Sequence, residues 1–360
     1  MTHEPVDADC AETLVAAVRE AIEAGEPVEI RGAGSKRFYG EDVAGRPLDV
    51  TGHRGVVSYE PSELVLTARA GTRLADLEAL VASHGQMLPF EPPHFGPGAT
   101  IGGTVACGLS GPRRPYAGAV RDAVLGVRLV NGRGELGRFG GEVMKNVAGY
   151  DVSRLMAGAL GTLGLLVDVS LKVLPAPQRE ATLTLALDAA GAIARFSELG
   201  MRPLPLSGAA WAEGRAWVRL SGSEAGVAAA VVEIGGDEVD AGEADRFWSD
   251  LREHRLAFFD RPGTLWRLGV PQAHPPLAIE GDWLLDWGGG QRWLKTATPA
   301  RAIREVTAAA GGHATAFRGR DSGVDVFHPL PDGLLRLHRR IKAALDPASL
   351  LNPGRLYAGL

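Results

Sequence analysis

Cysteine is scarce: the 360 residues hold two, Cys10 and Cys107. Two thiols cannot build a four-cysteine iron–sulfur or zinc framework, so any cluster this chain works with belongs to another subunit. Cys107 has small and apolar neighbours and no CxxC partner, which reads as a buried, unreactive thiol. Long apolar runs are missing too. No segment reaches the roughly 18 uninterrupted apolar residues of a membrane span, and the N-terminus lacks a basic stretch followed by an apolar core. The expectation is a cytoplasmic protein that reaches the inner face of a membrane only through partner subunits. Charge of one sign is not in excess: 38 basic against 43 acidic residues leave a net charge of -5, without the footprint of a nucleic-acid partner. No compact GxGxxG follows the first strand, which argues against a nicotinamide dinucleotide fold. What remains, at 45% hydrophobic and 22% charged, is a globular protein with core material for two or so domains.

Glycine is abundant, at 48 residues, and gathers in three places: RGAGSK at 31–36, GATIGG at 98–103 and GYDVSRLMAGALGTLG at 149–164. Without a Cβ, the backbone N–H groups of such loops can approach an anionic ligand closely. Taken singly, each string is also an ordinary glycine turn or a tightly packed loop. Taken together, they predict one long ligand whose pyrophosphate is gripped from several loops, unlike a Walker loop, which concentrates its glycines in one strand-to-helix turn.

The pattern of apolar residues predicts the framework. Leu14, Val18 and Ile22 give an amphipathic helix over 11–23, and Val28 and Ile30 a strand running into RGAGSK. Further strands are expected over 64–68 and 124–130, with a helix carrying Leu74, Leu77, Leu80 and Val81 between them. LPFEPPHFGPGATIGG, rich in proline ahead of its glycines, reads as an ordered extended loop. LLVDVSLKVLP alternates as a half-buried strand ending at Pro175. PAPQRE then breaks the pattern, and beyond it TLTLAL, AAGAIARFSELG, a hairpin in GAAWAEGRAWVRL, EAGVAAAVVEI, two strands around the glycines of DWLLDWGGGQRWLK, a helix over 300–310 and a strand at HATAF form a second unit. A helix over 334–345 and the tail LLNPGRLY close the chain. Without a regular βαβ rhythm, the class is α+β.

The strings EPPHFGPGATIGGTVACGLSGPRRPYAG, RFGGEVMKNVAGYDVSRLM, GTLWR, DWGGGQRWLK, GGHAT and LLNPGRLY resemble the FAD-linked oxidases of the vanillyl-alcohol oxidase and p-cresol methylhydroxylase type. Among these, they look most like the FAD-binding subunits of glycolate oxidases. The resemblance implies a PCMH-type FAD-binding domain of two α+β subdomains over 1–177. It further implies an α+β cap similar to the FAD-linked oxidase C-terminal domain over 178–333, and a helix and tail over 334–360 packing back on the first domain. It implies FAD held by Arg31, Gly32, Ala33, Gly34, Ser35 and Lys36 of the first loop and by Pro97, Gly98, Ala99, Thr100, Ile101, Gly102 and Gly103, with Ser110 and Gly111, of the second. Asn146, Gly149, Tyr150, Asp151, Gly158, Gly161, Thr162, Gly164 and Val167 supply the third, and Asn352 the tail. Many relatives tether their flavin through a histidine in an RSGGH-like version of the first loop; Ser35 stands there instead, so the flavin is expected to be noncovalent. Where relatives show GSEGTLG this chain has Ala159 and Leu160, which leaves contacts of the backbone. Lys145 and Asp151 also read as a solvated ion pair.

Substrate chemistry is less legible. Flavin oxidation of a 2-hydroxy acid needs a base or metal for the hydroxyl proton and a cation for the carboxylate. By resemblance, a sister subunit carries an HxGDGNxH-like metal motif. Here the matching region reads GGHATAFRGRDSGVDVFHPL, and neither His313 with His328, nor HEPV, nor His94 in PPHFG forms a metal motif. Arg267, Arg292 and His313 are the catalytic candidates; stacking on Trp266 or Trp293 and structural hydrogen bonding explain them equally well. The resemblance therefore implies the FAD-binding subunit of a complex oxidising glycolate to glyoxylate, partnered by a homologous flavin subunit and an iron–sulfur subunit. A self-sufficient 2-hydroxy-acid oxidase and a non-catalytic structural subunit are the alternatives.

Overall fold

The computed structural model describes residues 7–141 and 151–360. Its contacts divide the chain into two units: Met1–Leu109, Ala119–Ala176 and Pro329–Leu360 form unit 1, and Ser110–Gly118 with Pro177–His328 form unit 2.

In unit 1, Leu14, Val15, Val18 and Ala21 recur at helical spacing and bury one face of α1 (Ala11–Ala24), which Gly25 ends in the left-handed conformation at φ 65°. β1 (Val28–Arg31) pairs in parallel with β2 (Arg46–Asp49), and a bridge joins Val28 to Leu351 of the tail. β3 (Val56–Glu60), β4 (Val65–Arg69), β5 (Val124–Val130), β6 (Leu136–Gly140) and β7 (Leu165–Lys172) form an antiparallel sheet in the order β3-β4-β7-β5-β6. Leu74, Leu77 and Val81 of α2 (Leu74–Ala82) join Leu66, Leu129 and Val169 in one core.

Two expectations need correction. β7 is buried on both faces through Ser170, where alternation predicted a half-buried strand. It is the middle strand of its sheet, and its polar side chains are satisfied internally: Asp168 accepts from Arg128 at 2.7 Å and meets His53 at 3.2 Å, while Ser170 bonds Thr67 at 2.8 Å. The loop expected at GATIGG instead becomes a helix at its end, α3 (Ile101–Cys107), with the Thr100 hydroxyl accepting from Gly103 N–H at 3.2 Å as N-cap. Glycine and β-branched residues disguise it.

The terminal helix Asp332–Leu345 belongs to this unit through one buried knot. Lys342 donates to the Thr162 carbonyl at 2.7 Å, the Leu351 carbonyl at 2.8 Å and the Asp346 carboxylate at 2.7 Å. Asp346 in turn accepts from the N–H groups of Leu350 and Leu351.

Unit 2 is built on one antiparallel sheet. Its strands are β8 (Arg179–Ala186), β9 (Leu206–Ala212), β10 (Arg215–Gly222), β11 (Asp237–Glu238), β12 (Thr264–Gly269), β13 (Asp282–Asp286), β14 (Gln291–Thr296) and β15 (His313–Arg318), in the order β11-β8-β10-β9-β13-β14-β12-β15. Glu213 and Gly214 turn the β9–β10 hairpin with φ of 51° and 78°, the paired left-handed conformation a two-residue hairpin requires. α4 (Ala189–Gly200) and α5 (Glu224–Ile234) supply Phe196, Leu199 and Val227 to the core of one half. α6 (Ala241–Glu253) stacks Phe247 on Trp217 at 3.8 Å. α7 (Ala300–Ala309) buries Ile303 with Trp266, Leu268 and Leu294 in the other half. Among the described residues no helix is long and apolar enough to cross a membrane.

Candidate functional site

The glycine loops of unit 1 meet because each lacks a side chain where another passes. A Cβ on Gly32 would lie 2.6 Å from the Thr100 hydroxyl, one on Gly98 2.9 Å from the Ala33 Cβ, and one on Gly161 2.6 Å from the Asn352 amide. Asn352 then ties the third loop to β1, accepting from Ile30 N–H at 2.7 Å and donating to the Leu160 carbonyl at 2.6 Å. The third loop also bonds the end of α3, from Gly158 N–H to the Val105 carbonyl at 3.0 Å and from Leu160 N–H to the Ala106 carbonyl at 2.8 Å. Main chain alone makes these last contacts, so Ala159 and Leu160 cost nothing there.

Two adjoining clefts open between the loops. Arg31, Gly32, Ala33, Gly34, Ser35, Lys36, Thr100, Gly102, Gly103, Gly161, Gly164 and Asn352, all singled out from sequence, line them. Ala106 and Cys107 also line them, as do Glu29, Arg37, Leu160 and Arg355, which were not foreseen. The rest lie elsewhere. Gly98 packs against Ala33 of the first loop, Pro97 is exposed, Ala99 and Ile101 are buried in the core with Leu74 and Leu77, and Val167 sits in the core beside α1. Gly158 and Thr162 line a separate hollow with Ile341 and Leu356. Asp151 is exposed and caps the turn after it, accepting from Arg154 N–H at 3.1 Å. Ser110 and Gly111 belong to unit 2, where the Gly111 carbonyl accepts from the Trp287 indole at 2.9 Å. Lys145, Asn146, Gly149 and Tyr150 lie outside the described residues.

The cleft is electropositive but anchored by one carboxylate. Glu29, with its side chain 7% exposed, pairs with Arg31 and, at 3.1 Å, with Arg37. The hydrogen bond from Arg31 holds its carboxyl below the ordinary value of 4.5 despite burial. A lowered folded pKa means stability that is present above that ordinary value and lost as pH falls through the folded one. Glu29→Gln is therefore expected to lower the melting temperature at pH 7 and to narrow the gap from wild type as pH drops below about 4.5; a gap that stays constant from pH 7 to pH 3 would contradict the pairing. Arg355 donates to the carbonyls of Arg37 at 2.7 Å and Tyr39 at 2.8 Å, fixing the first loop from the tail. Cys107 reaches the cleft wall, not the sealed interior expected of it. Burial pushes its thiol up, against the pull of Lys36 and Arg355.

In unit 2 the three catalytic candidates separate. Strand register decides this: Arg267 pairs with Trp293 and Thr315, and His313 with Gly269, so Arg267, Gly269, His313 and Thr315 share one face. Arg292 pairs with Leu268 and faces the other way. It is 1% exposed and donates to the carbonyls of Gly289, Pro275 and His274. Burial draws its guanidinium down to about 10, still cationic at neutral pH. Arg292 is a brace of the glycine turn. Arg267 and His313 line an open cleft with Arg114, Gln272, Trp287 and Gln291. Among the described residues no cluster of three or more His, Cys, Asp or Glu could hold a metal ion.

Comparison with known proteins gives this geometry its family. Residues 6–140 match the FAD binding domain family. The chain is 49% identical over 354 residues, 98% of its length and 99% of the relative's, to glycolate oxidase subunit GlcE of Escherichia coli (strain K12). It belongs to the GlcE family of FAD-linked oxidoreductases. A stretch of 128 residues is 34% identical to glycolate oxidase subunit GlcD of Bacillus subtilis (strain 168), covering 36% of this chain and 27% of that one. A solved structure of alkyldihydroxyacetonephosphate synthase superposes with a TM-score of 0.65 at 13% identity, over 95% of this chain and 75% of that one, which shows a shared fold. The mixed α and β class and the FAD cofactor expected from the sequence both agree with these findings. This GlcE-family chain thus carries FAD as its cofactor.

Proposed function

We propose that this chain is the FAD-holding subunit of a cytoplasmic complex that oxidises glycolate to glyoxylate, with the main substrate chemistry in a homologous flavin subunit and electrons passing onward through an iron–sulfur subunit. The observation that carries the reading is the convergence of three glycine loops, packed on one another through their missing side chains, on clefts that present cations. The residues fit such a group. Among the described residues the Arg31 Nε, on the cleft wall, is buried with no acceptor, and a buried donor of this kind calls for a partner. Arg31, Lys36 and Arg355 suit a pyrophosphate, the backbone of Gly32, Gly34 and Gly103 permits close approach, and Ile30, Ala106 and Leu160 offer apolar wall. Bound there, FAD supplies a two-electron acceptor that can also release electrons singly. Ser35 in the cleft, and a Cys107 thiol held neutral by burial, support noncovalent retention.

The division of labour is tested by anaerobic stopped-flow mixing of glycolate with the FAD-loaded chain alone and with the assembled complex. The flavin of the isolated chain is expected to stay oxidised while the complex turns over, since a missing general base forgoes about 10² to 10⁴ in rate. Reduction of the isolated chain at the complex's rate would instead establish a self-sufficient 2-hydroxy-acid oxidase. The accessible Arg267–His313 cleft is the observation that favours that second reading.

A further inference from the structure

The terminal helix Asp332–Leu345 is packed along one half and bare along the other. Leu334, Leu337, Ile341 and Leu345 recur at helical spacing and form one stripe. Ile341 and Leu345 pack against the core of unit 1, whereas Leu334 and Leu337 remain 42% and 49% exposed. The Lys342 knot fixes only the C-terminal half. In a chain of net charge -5, this helix carries Arg336, Arg339, Arg340 and Lys342 against the single acid Asp332. The three arginines are exposed, and among the described residues none of them has an ion-pair partner. Arg336 and Arg340, one turn apart, repel each other until a carboxylate comes between them.

Beside the stripe, within unit 1, lies a hollow of about 210 Å³. Leu155, Leu163, Ile341 and Leu356 give it apolar walls, and Arg121 and Arg154, both exposed, stand at its rim with His338. Ile341 and His338 reach it from the helix, so the stripe runs on from the hollow to Leu337 and Leu334. None of the described residues lining the hollow is an aspartate or glutamate. Arg154 is engaged by Asp151 at 3.4 Å, while Arg121 has no ion-pair partner among the described residues. A cavity of about 150 Å³ admits benzene, so this hollow has room for an apolar side chain of a partner, and an anchor that fills a pocket dominates the energetics of an interface. An exposed apolar patch rimmed by charge marks an interaction surface. The hollow needs a protruding side chain to fill it, which favours a protein over a bilayer. An isologous contact with a second copy would set these arginines against themselves.

We propose that the terminal helix and the adjoining hollow form the docking face for a second polypeptide of the complex, an acidic surface that inserts a leucine or aromatic anchor into the hollow, covers Leu334 and Leu337, and sets carboxylates against Arg336, Arg340 and Arg121. The inference rests on the reading of this chain as one subunit of a complex. The apolar anchors supply affinity, and the arginines steer and select an acidic partner. Assembly then falls on unit 1, at a helix whose other half ties the third glycine loop to the tail through Lys342.

Fluorescence anisotropy of the dye-labelled full-length chain, titrated with the homologous flavin subunit and with the iron–sulfur subunit, tests it. Saturable binding of at least one of them is expected. The pair Leu334→Asp with Leu337→Asp, and the pair Arg336→Glu with Arg340→Glu, should each weaken it at least about tenfold, and added sodium chloride should weaken the wild type. Val232→Asp, at a side chain 84% exposed in unit 2, should leave binding unchanged. Circular dichroism and flavin content of each variant report whether its fold is kept; should the leucine pair unfold the chain, the arginine pair decides. A wild-type chain that binds neither subunit would overturn the complex reading and this inference together. Binding that both pairs leave intact, or that Val232→Asp weakens equally, would overturn the inference alone. So would self-association, or uptake of phosphatidylglycerol vesicles, that occupies this face in place of either subunit.

Discussion

Gly103→Trp is expected to yield a folded, colourless chain. Gly103 lies in the first turn of α3, lines both clefts of unit 1, and a Cβ there would meet only the Thr100 hydroxyl, at 3.1 Å. An indole at this position fills space between the glycine loops and disturbs the Thr100 cap, a loss of about 1 kcal/mol. Flavin retained per chain should fall at least about tenfold with the circular dichroism spectrum preserved. The neighbouring Gly102 behaves differently. Its missing Cβ faces Ala70, whose Cβ and carbonyl oxygen would lie 2.7 Å and 2.9 Å away, so Gly102→Trp forces α3 off β4 and should unfold unit 1. A glycine motif read from sequence assigns both residues to ligand approach; both line the clefts, but Gly102 also needs its missing side chain for the contact with Ala70. Full flavin content in Gly103→Trp would remove this turn from the site.

Lys342→Met should cost unit 1 about 3–5 kcal/mol, because it strands a wholly buried carboxylate. Asp346 is 0% exposed and keeps its two backbone donors but loses its only ion pair among the described residues. The lysine also joins the Thr162 carbonyl of the third glycine loop to the Leu351 carbonyl of the tail, so flavin affinity should fall with stability. Urea unfolding followed by circular dichroism measures the first effect. Adding Asp346→Asn should recover part of the loss, as removing the stranded charge lifts much of the penalty. A midpoint unchanged in the single variant would show that the knot carries no stability.

The legible parts of the sequence were those set by local chemistry. Helical spacing in 11–23 and the Glu213–Gly214 turn declared themselves, and glycine strings marked loops that do converge. What escaped depended on distant partners. Arg355 reaches the first loop from over three hundred residues away, and no local pattern announces that its guanidinium ends on the carbonyls of Arg37 and Tyr39. Asp168 and Ser170 read as a solvent face until His53, Arg128 and Thr67 are brought against them. Arg267 and Arg292 sit in equally suggestive strings, yet one residue of register sends Arg292 to the opposite face of its strand from the cleft. Arg114 was visible only as half of a basic pair, and its place over Trp287 follows from a tertiary contact.

The central claim is that the glycine clefts of unit 1 hold FAD without a covalent bond. Acid precipitation of the purified chain, with the supernatant resolved by chromatography, tests it most directly. FAD should appear in the supernatant at close to one per chain, leaving a colourless pellet. Flavin retained in the pellet, FMN in place of FAD, or a chain that carries no flavin would contradict it.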